Sequence, residues 1–124
     1  MWLNINFEVE LDMKYTLQNS QVRKIDDALK ITDLFSIEDT SFDFVIAELD
    51  GEHPTTVNTA SDRAYFILDG DGVVTVNNTP MKVIVNNLVY IKKGHPHSII
   101  GKVKYAIITA PPFRKENESL FSGK

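Results

Sequence analysis

The stretch that most restricts the fold is 63–97, where short runs of β-type residues are cut by turn formers. Tyr65-Phe-Ile-Leu runs into Asp69-Gly70-Asp71-Gly72, and Val73-Val-Thr-Val into Asn77-Asn78-Thr79-Pro80. Met81-Lys-Val-Ile-Val runs into Asn86-Asn87, and Leu88-Val-Tyr-Ile leads to Gly94-His-Pro-His97. β-Branched and aromatic residues suit a pleated surface, whereas Gly, Asn and Asp accept the positive φ of tight reversals. Runs this short leave no length for helices, so the core has to close sheet against sheet. A single domain of 124 residues buries roughly two thirds of the surface its unfolded chain exposes, enough for a core without staples.

The flanking sequence extends the same reading. Residues 3–17 alternate: Leu3, Ile5, Phe7, Val9, Leu11, Met13, Tyr15 and Leu17 on one face, polar residues on the other. Period two over that length predicts a strand, and at about 3.3 Å per residue it outruns a domain of this size. It either bends near residues 10–13 or reaches onto a neighbouring subunit, exchanged in a homodimer. Residues 21–36 hold a short helical turn near 26–30 or more β structure. Residues 41–49 are apolar on both faces, as in a strand covered twice. Asp50-Gly51 reads as a turn, 52–62 as a polar loop headed by His53-Pro54, and Asp69 to Gly72 as a tight reversal. Separate strands are expected at 96–100 and 103–110, the second ended by Pro111-Pro112. The chain divides into N-terminal strands and connection (1–40), a barrel core (41–113) and a polar tail (114–124), all within one domain, 1–124.

Charge and composition remove several classes. A net charge of −4 argues against nucleic acid and anionic membranes, which ask for a basic surface. The chain contains no cysteine, so disulfides and thiol chemistry are out. No apolar run approaches a membrane span of about 18 residues, and no basic-then-apolar leader opens the chain. The cytoplasm is the expected compartment.

Taken together, 65–76, 88–98 and the closing Ile107-Ile-Thr-Ala-Pro111-Pro112-Phe113 resemble the cupin superfamily, in its small, single-domain members. The resemblance spans about 41–113 and implies an all-β, double-stranded β-helix or jelly-roll barrel. It also implies where a metal cage stands. Anchored on Gly70, the glutamate ligand of the first motif falls at Arg63. Its two histidines fall at Val57 and Thr59, or at Thr56 and Asn58 with one more residue between. In the second motif Asn86-Asn87 replace Gly-Asp and Lys92 replaces proline, while Gly94 and His97 match. Of four ligand positions only His97 is kept. A catalytic metal asks for about three protein ligands plus an open position, and a guanidinium at position 63 repels a dication. No cofactor is therefore expected. A rebuilt divalent site has to draw on His97, His95 and His53.

The candidate ligand-binding residues are Arg63, His97, Tyr65, Thr59 and Asn58. Arg63 either faces the pocket, offering its planar fork to an anion, or pairs internally with an acid such as Asp62 or Asp71, or lies outside. If it faces inward, Tyr65 and Ile67 share its face. His97 either contacts a ligand or moves a proton, or is a barrel histidine satisfied by neighbours; Tyr90 or Tyr65 is its candidate catalytic partner. One functional expectation is a metal-free barrel binding a small polar or anionic molecule. Another is an isomerase, epimerase or lyase with His97 as acid and base. A third is a metal-dependent enzyme with a rebuilt site. Fold alone does not choose among them.

Overall fold

The computed structural model describes residues 14–37 and 39–121. Most of the strand expected over 3–17 lies outside those residues; within them Leu17–Asn19 form a 3-10 turn. Eight strands follow: β1 (Gln21–Lys24), β2 (Leu29–Phe35), β3 (Asp43–Asn58), β4 (Asp62–Val76), β5 (Thr79–Ile84), β6 (Leu88–Ile91), β7 (His97–Ala110) and β8 (Glu118–Leu120). They form one antiparallel system in the order β1-β2-β3-β7-β4-β5, with β6 on β4 and β8 on β3.

The expected helical turn near 26–30 is a β-hairpin instead. Asp26 Oδ1 accepts the amides of Ala28 and Leu29 at 2.8 and 2.9 Å, closing the turn with a side chain that imitates backbone. Asn77 and Asn78 supply the left-handed positions of the β4–β5 turn at φ +51 and +68°, as their residue type predicts.

The three long strands differ from the expectation of many short ones. Asp50-Gly51, 52–58, 69–72 and 101–102 are strand interior, not turns or loops. Gly51 pairs with Gly101, and Gly101 with Gly72, so three glycines lie in one row across β3, β7 and β4. A Cβ at Gly101 would meet the Asp71 carbonyl oxygen at 2.6 Å, and one at Gly72 the Ile100 oxygen at 2.5 Å. Such backbone approach is open only to glycine, so residues that signal turns in the linear chain let the sheet curl here. A bulge between Ile67 and Asp69 adds to the bend.

Alternation on β4 decides the direction of Arg63. Arg63, Tyr65 and Ile67 are buried, and the residues between them are more accessible. They join Leu29, Ala47, Leu49, Ile99, Val103 and Tyr105 in the core. The polar segment after Pro112 returns to the barrel: after the 3-10 turn Lys115–Asn117, β8 pairs with the end of β3, Glu118 opposite Asn58 and Leu120 opposite Thr56. Among the described residues no helix is long and apolar enough to cross a membrane.

Candidate functional site

Pairing of β3 with β7 and β8 brings Thr56, Asn58, His97 and Glu118 to one end of the barrel, where Arg63 enters from β4. Thr56, Asn58, Arg63 and His97 are all buried. They are the positions at which the cupin resemblance puts the metal cage in its longer-gap alternative. Here an arginine–glutamate pair stands among them.

Arg63 Nη2 donates to Glu118 Oε1 at 2.8 Å and Nη1 donates to Oε2 at 3.0 Å. Nη1 also donates to His97 Nε2 at 3.1 Å, and Nε to Thr109 Oγ1 at 3.4 Å. Asn58 Nδ2 donates to Glu118 Oε1 at 3.0 Å, while its Oδ1 accepts the amides of Ala60 and Ser61. A guanidinium has no acceptor, so His97 Nε2 must be the lone-pair nitrogen. His97 Nδ1 lies 3.0 Å from the His95 carbonyl oxygen, which only accepts, so Nδ1 carries the proton. His97 is thus a neutral imidazole with both nitrogens engaged.

The charges follow from these contacts. Burial lowers the His97 pKa, and the Arg63 charge adds to it against the His95 carbonyl bond. Burial pushes the Glu118 carboxyl up, but the hydrogen bonds and charge of Arg63 outweigh it and hold Glu118 below the usual range. Burial likewise opposes the Arg63 charge, and Glu118 reverses the balance to raise it. Burial holds the Asp43 carboxyl above its usual range, although the Phe113 amide donates to it at 2.9 Å.

A cavity of about 280 Å³ opens beside the pair, at the small end of ligand pockets, roughly 300–1,000 Å³. Its polar wall carries Arg63, Glu118, Thr56, Thr109, Asp43 and His53; its apolar wall carries Leu29, Ile31, Val45, Ile107, Tyr65 and Tyr105. Arg23 and Asp33 pair at its rim. The Tyr65 ring meets His97 edge-on at 6.0 Å and packs on Tyr105 at 5.0 Å. The Thr56 hydroxyl faces Glu118 and has no well-formed hydrogen bond among the described residues. A wider, open depression of about 680 Å³ lies elsewhere, between charged residues such as Asp26, Asp71, Lys102 and Lys104; it holds none of the residues expected from sequence.

Those expected residues separate. Arg63, His97, Tyr65 and Asn58 come together around Glu118, and His53 lines the same cavity. Tyr90 does not: it lies on the outer face of β6, 58% exposed, with its hydroxyl on Asp62, because period two points position 90 away from buried Val89 and Ile91. Thr59 is exposed and donates to the Asn117 carbonyl, because β3 ends at Asn58. His95 precedes β7 and contributes its carbonyl rather than its ring. The acid that pairs with Arg63 is Glu118, not Asp62 or Asp71. It was missed because it sits 55 residues away in a polar tail; an inward arginine announces that a carboxylate is needed, not which one.

The fold family implies a divalent metal, and the residues present do not fit one. The lone pair of His97 is taken by Arg63, whose fixed charge repels a dication. His53 keeps an Nε2 lone pair, its Nδ1 being turned to the Pro54 carbonyl, but one imidazole does not make the set of about three ligands that a metal needs. Among the described residues no three His, Asp or Glu side chains gather as a ligand set.

No protein-family model and no curated protein matches the chain. Solved structures do. The nucleoside dehydratase Pac13 superposes with a TM-score of 0.79 at 20% identity, over 87% of this chain and 89% of that one; Streptomyces PAC13 also has structures with uridine. A cupin-2 domain from Rhodospirillum rubrum superposes at 0.75 with 15% identity, over 88% and 80%. The Schizosaccharomyces pombe Cnp3 cupin domain superposes at 0.68 with 26% identity, over 85% and 77%. The fold is the cupin barrel.

Proposed function

We propose that this cupin-fold barrel binds a small, uncharged, polar molecule with a flat or apolar part, held in the cavity beside Arg63 and Glu118. One observation carries the reading: the Arg63 charge is already neutralised by a bidentate carboxylate. Of its five N–H donors, four have partners on Glu118, His97 and Thr109, and the Tyr65 hydroxyl lies beside the guanidinium, so at most one donor is open to a ligand. His97 is neutral, and Asp43 adds no positive charge, so the wall offers an incoming anion no net attraction. This supports the polar rather than the anionic of the two ligand classes expected from the sequence. Arg63 and Thr56 supply hydrogen-bonding groups, and Tyr65 and Tyr105 an aromatic surface. Uridine, seen with PAC13, is a molecule of this kind and a suitable first probe.

Calorimetry and thermal shift with uridine, other nucleosides and neutral sugars, each beside its phosphate ester, test the reading. The neutral compound is expected to bind and stabilise, and its monophosphate to bind at least tenfold more weakly. A phosphate ester that binds tighter than its parent sinks the proposal.

A second reading, acid–base chemistry on the bound molecule, is favoured by His53. Its Nδ1 donates to the Pro54 carbonyl at 3.0 Å, so Nε2 carries the lone pair, and burial keeps the ring neutral. In this reading His53 takes the role expected of His97, and Tyr65 that of Tyr90. Deuterium wash-in from solvent to the carbon of a bound ligand, followed by NMR and abolished in His53→Gln, is the expected result. Unchanged wash-in in that variant removes the reading.

A further inference from the structure

Glu118 is held in the way a protein holds a ligand carboxylate. Two parallel N–H bonds from Arg63 grip both oxygens, and Asn58 adds a third bond to Oε1, the fork geometry used in carboxylate recognition. Arg63 is itself fixed from behind by His97 and Thr109. This grip belongs to the barrel: Asn58, Arg63, His97 and Thr109 all come from the long strands β3, β4 and β7.

The segment that delivers Glu118 is of another kind. β8 has three residues and, among the described residues, pairs with the end of β3 alone. Its flanking apolar side chains do not anchor it: Phe113 is 45% exposed, Leu120 74% and Phe121 42%. Beyond the ladder and Glu118 itself, the described residues hold the segment through the Asn117 carbonyl, which accepts the Thr59 amide and hydroxyl, and the Phe121 amide, which donates to the Thr55 carbonyl. Short edge strands with few buried apolar contacts open locally at low cost.

We propose that Arg63, Asn58, His97 and Thr109 form a carboxylate-binding site that the chain fills with its own Glu118, and that β8 is its exchangeable cover. With β8 in place the barrel refuses anions. With β8 lifted, Arg63 presents a pre-positioned fork that accepts a small carboxylate-bearing molecule. The inference rests on Arg63 and its partners and does not depend on the ligand of the closed barrel.

Chemical rescue tests the site. Glu118→Ala is expected to melt about ten degrees or more below the wild type. Acetate, at constant ionic strength, is expected to restore part of that loss with a saturable dependence. Acetamide and chloride are expected to do nothing, and Arg63→Met in the Glu118→Ala background to abolish the rescue. No saturable acetate effect, or the same effect without Arg63, overturns the site. Amide hydrogen exchange of the wild type tests the cover and needs no variant. The Ser119 and Phe121 amides are expected to exchange at least a hundredfold faster than those of the β3–β7 ladder, and faster still with acetate. Equal protection of β8 and the ladder overturns the exchangeable cover.

Discussion

Two arginines of this barrel grip carboxylates in nearly the same way. Arg23 Nε and Nη2 donate to Asp33 at 2.6 and 2.8 Å; Arg63 Nη2 and Nη1 donate to Glu118 at 2.8 and 3.0 Å. The surroundings differ. The Arg23 side chain is 47% exposed and Asp33 19%, whereas Arg63 is 8% exposed and Glu118 15%. Their origins differ as well, since Arg23 and Asp33 reach each other diagonally across one hairpin while Arg63 and Glu118 meet 55 residues apart. Bond lengths alone would rank the pairs as equals. Burial makes one a surface contact and the other the centre of a site, because water screens the first and is largely absent around the second.

The largest expected effect comes from breaking the buried pair on one side. Arg63→Ala or Glu118→Ala leaves an uncompensated charge and should cost about 3–5 kcal/mol by urea denaturation. Replacing both, as Arg63→Met with Glu118→Leu, should recover most of that; a double variant as unstable as either single one shows that the pair does more than neutralise itself. Next in size is His97→Leu, which removes the acceptor of one Arg63 N–H and should cost about 1–3 kcal/mol. A change below about 0.5 kcal/mol would mean that another acceptor takes over.

Acid should weaken the buried end. His97 and Glu118 both have folded pKa values below their ordinary ones. The unfolded chain then binds more protons in each window, so stability rises with pH there. The His97 share is full above the ordinary histidine pKa, about 6.5, and is lost as pH falls through its folded value. The Glu118 share is full above the ordinary glutamate pKa, about 4.3, and is lost as pH falls through its own lower value. Asp43 works the other way: its raised pKa favours the folded state as it protonates, with the gain beginning as pH falls through its folded value and full below the ordinary aspartate pKa, about 3.9. The His53 pKa is lowered in the same direction by burial, so melting temperatures between pH 8 and 3 are expected to fall in two steps, the first reduced in His97→Gln and missing only when His53 is replaced as well. The smallest effect belongs to Asp33→Asn, at about 0–1 kcal/mol and shrinking with added salt. A loss as large as that of Glu118→Ala would erase the contrast between the two pairs.

The parts of this barrel readable in the chain were local. Alternation placed Tyr65 and Ile67 on one face, and Asn77-Asn78 made the turn their backbone preference favours. The cupin resemblance, through Gly94 and His97, implied where the barrel end lies. The misreadings share a cause: Asp69-Gly70-Asp71-Gly72 and Asp50-Gly51 are built like turns, yet they lie inside strands, because Gly101 of β7 packs between Gly51 and Gly72. A glycine's freedom is visible in sequence, but what approaches it is not. Tyr90 was misplaced for a similar reason, since its alternation was clear and its phase relative to the barrel was not.

Side-chain period and turn chemistry act between near neighbours, so an all-β chain, with a histidine and an arginine where the cupin resemblance keeps a metal, was legible from residue order. The partner of Arg63 was not, because it depends on long-range pairing. Choosing Glu118 among the acids required β8 to register on β3, a pairing between segments 60 residues apart. Burial then turned that meeting into a closed, neutral site, and burial is a property of the whole barrel rather than of any stretch of chain.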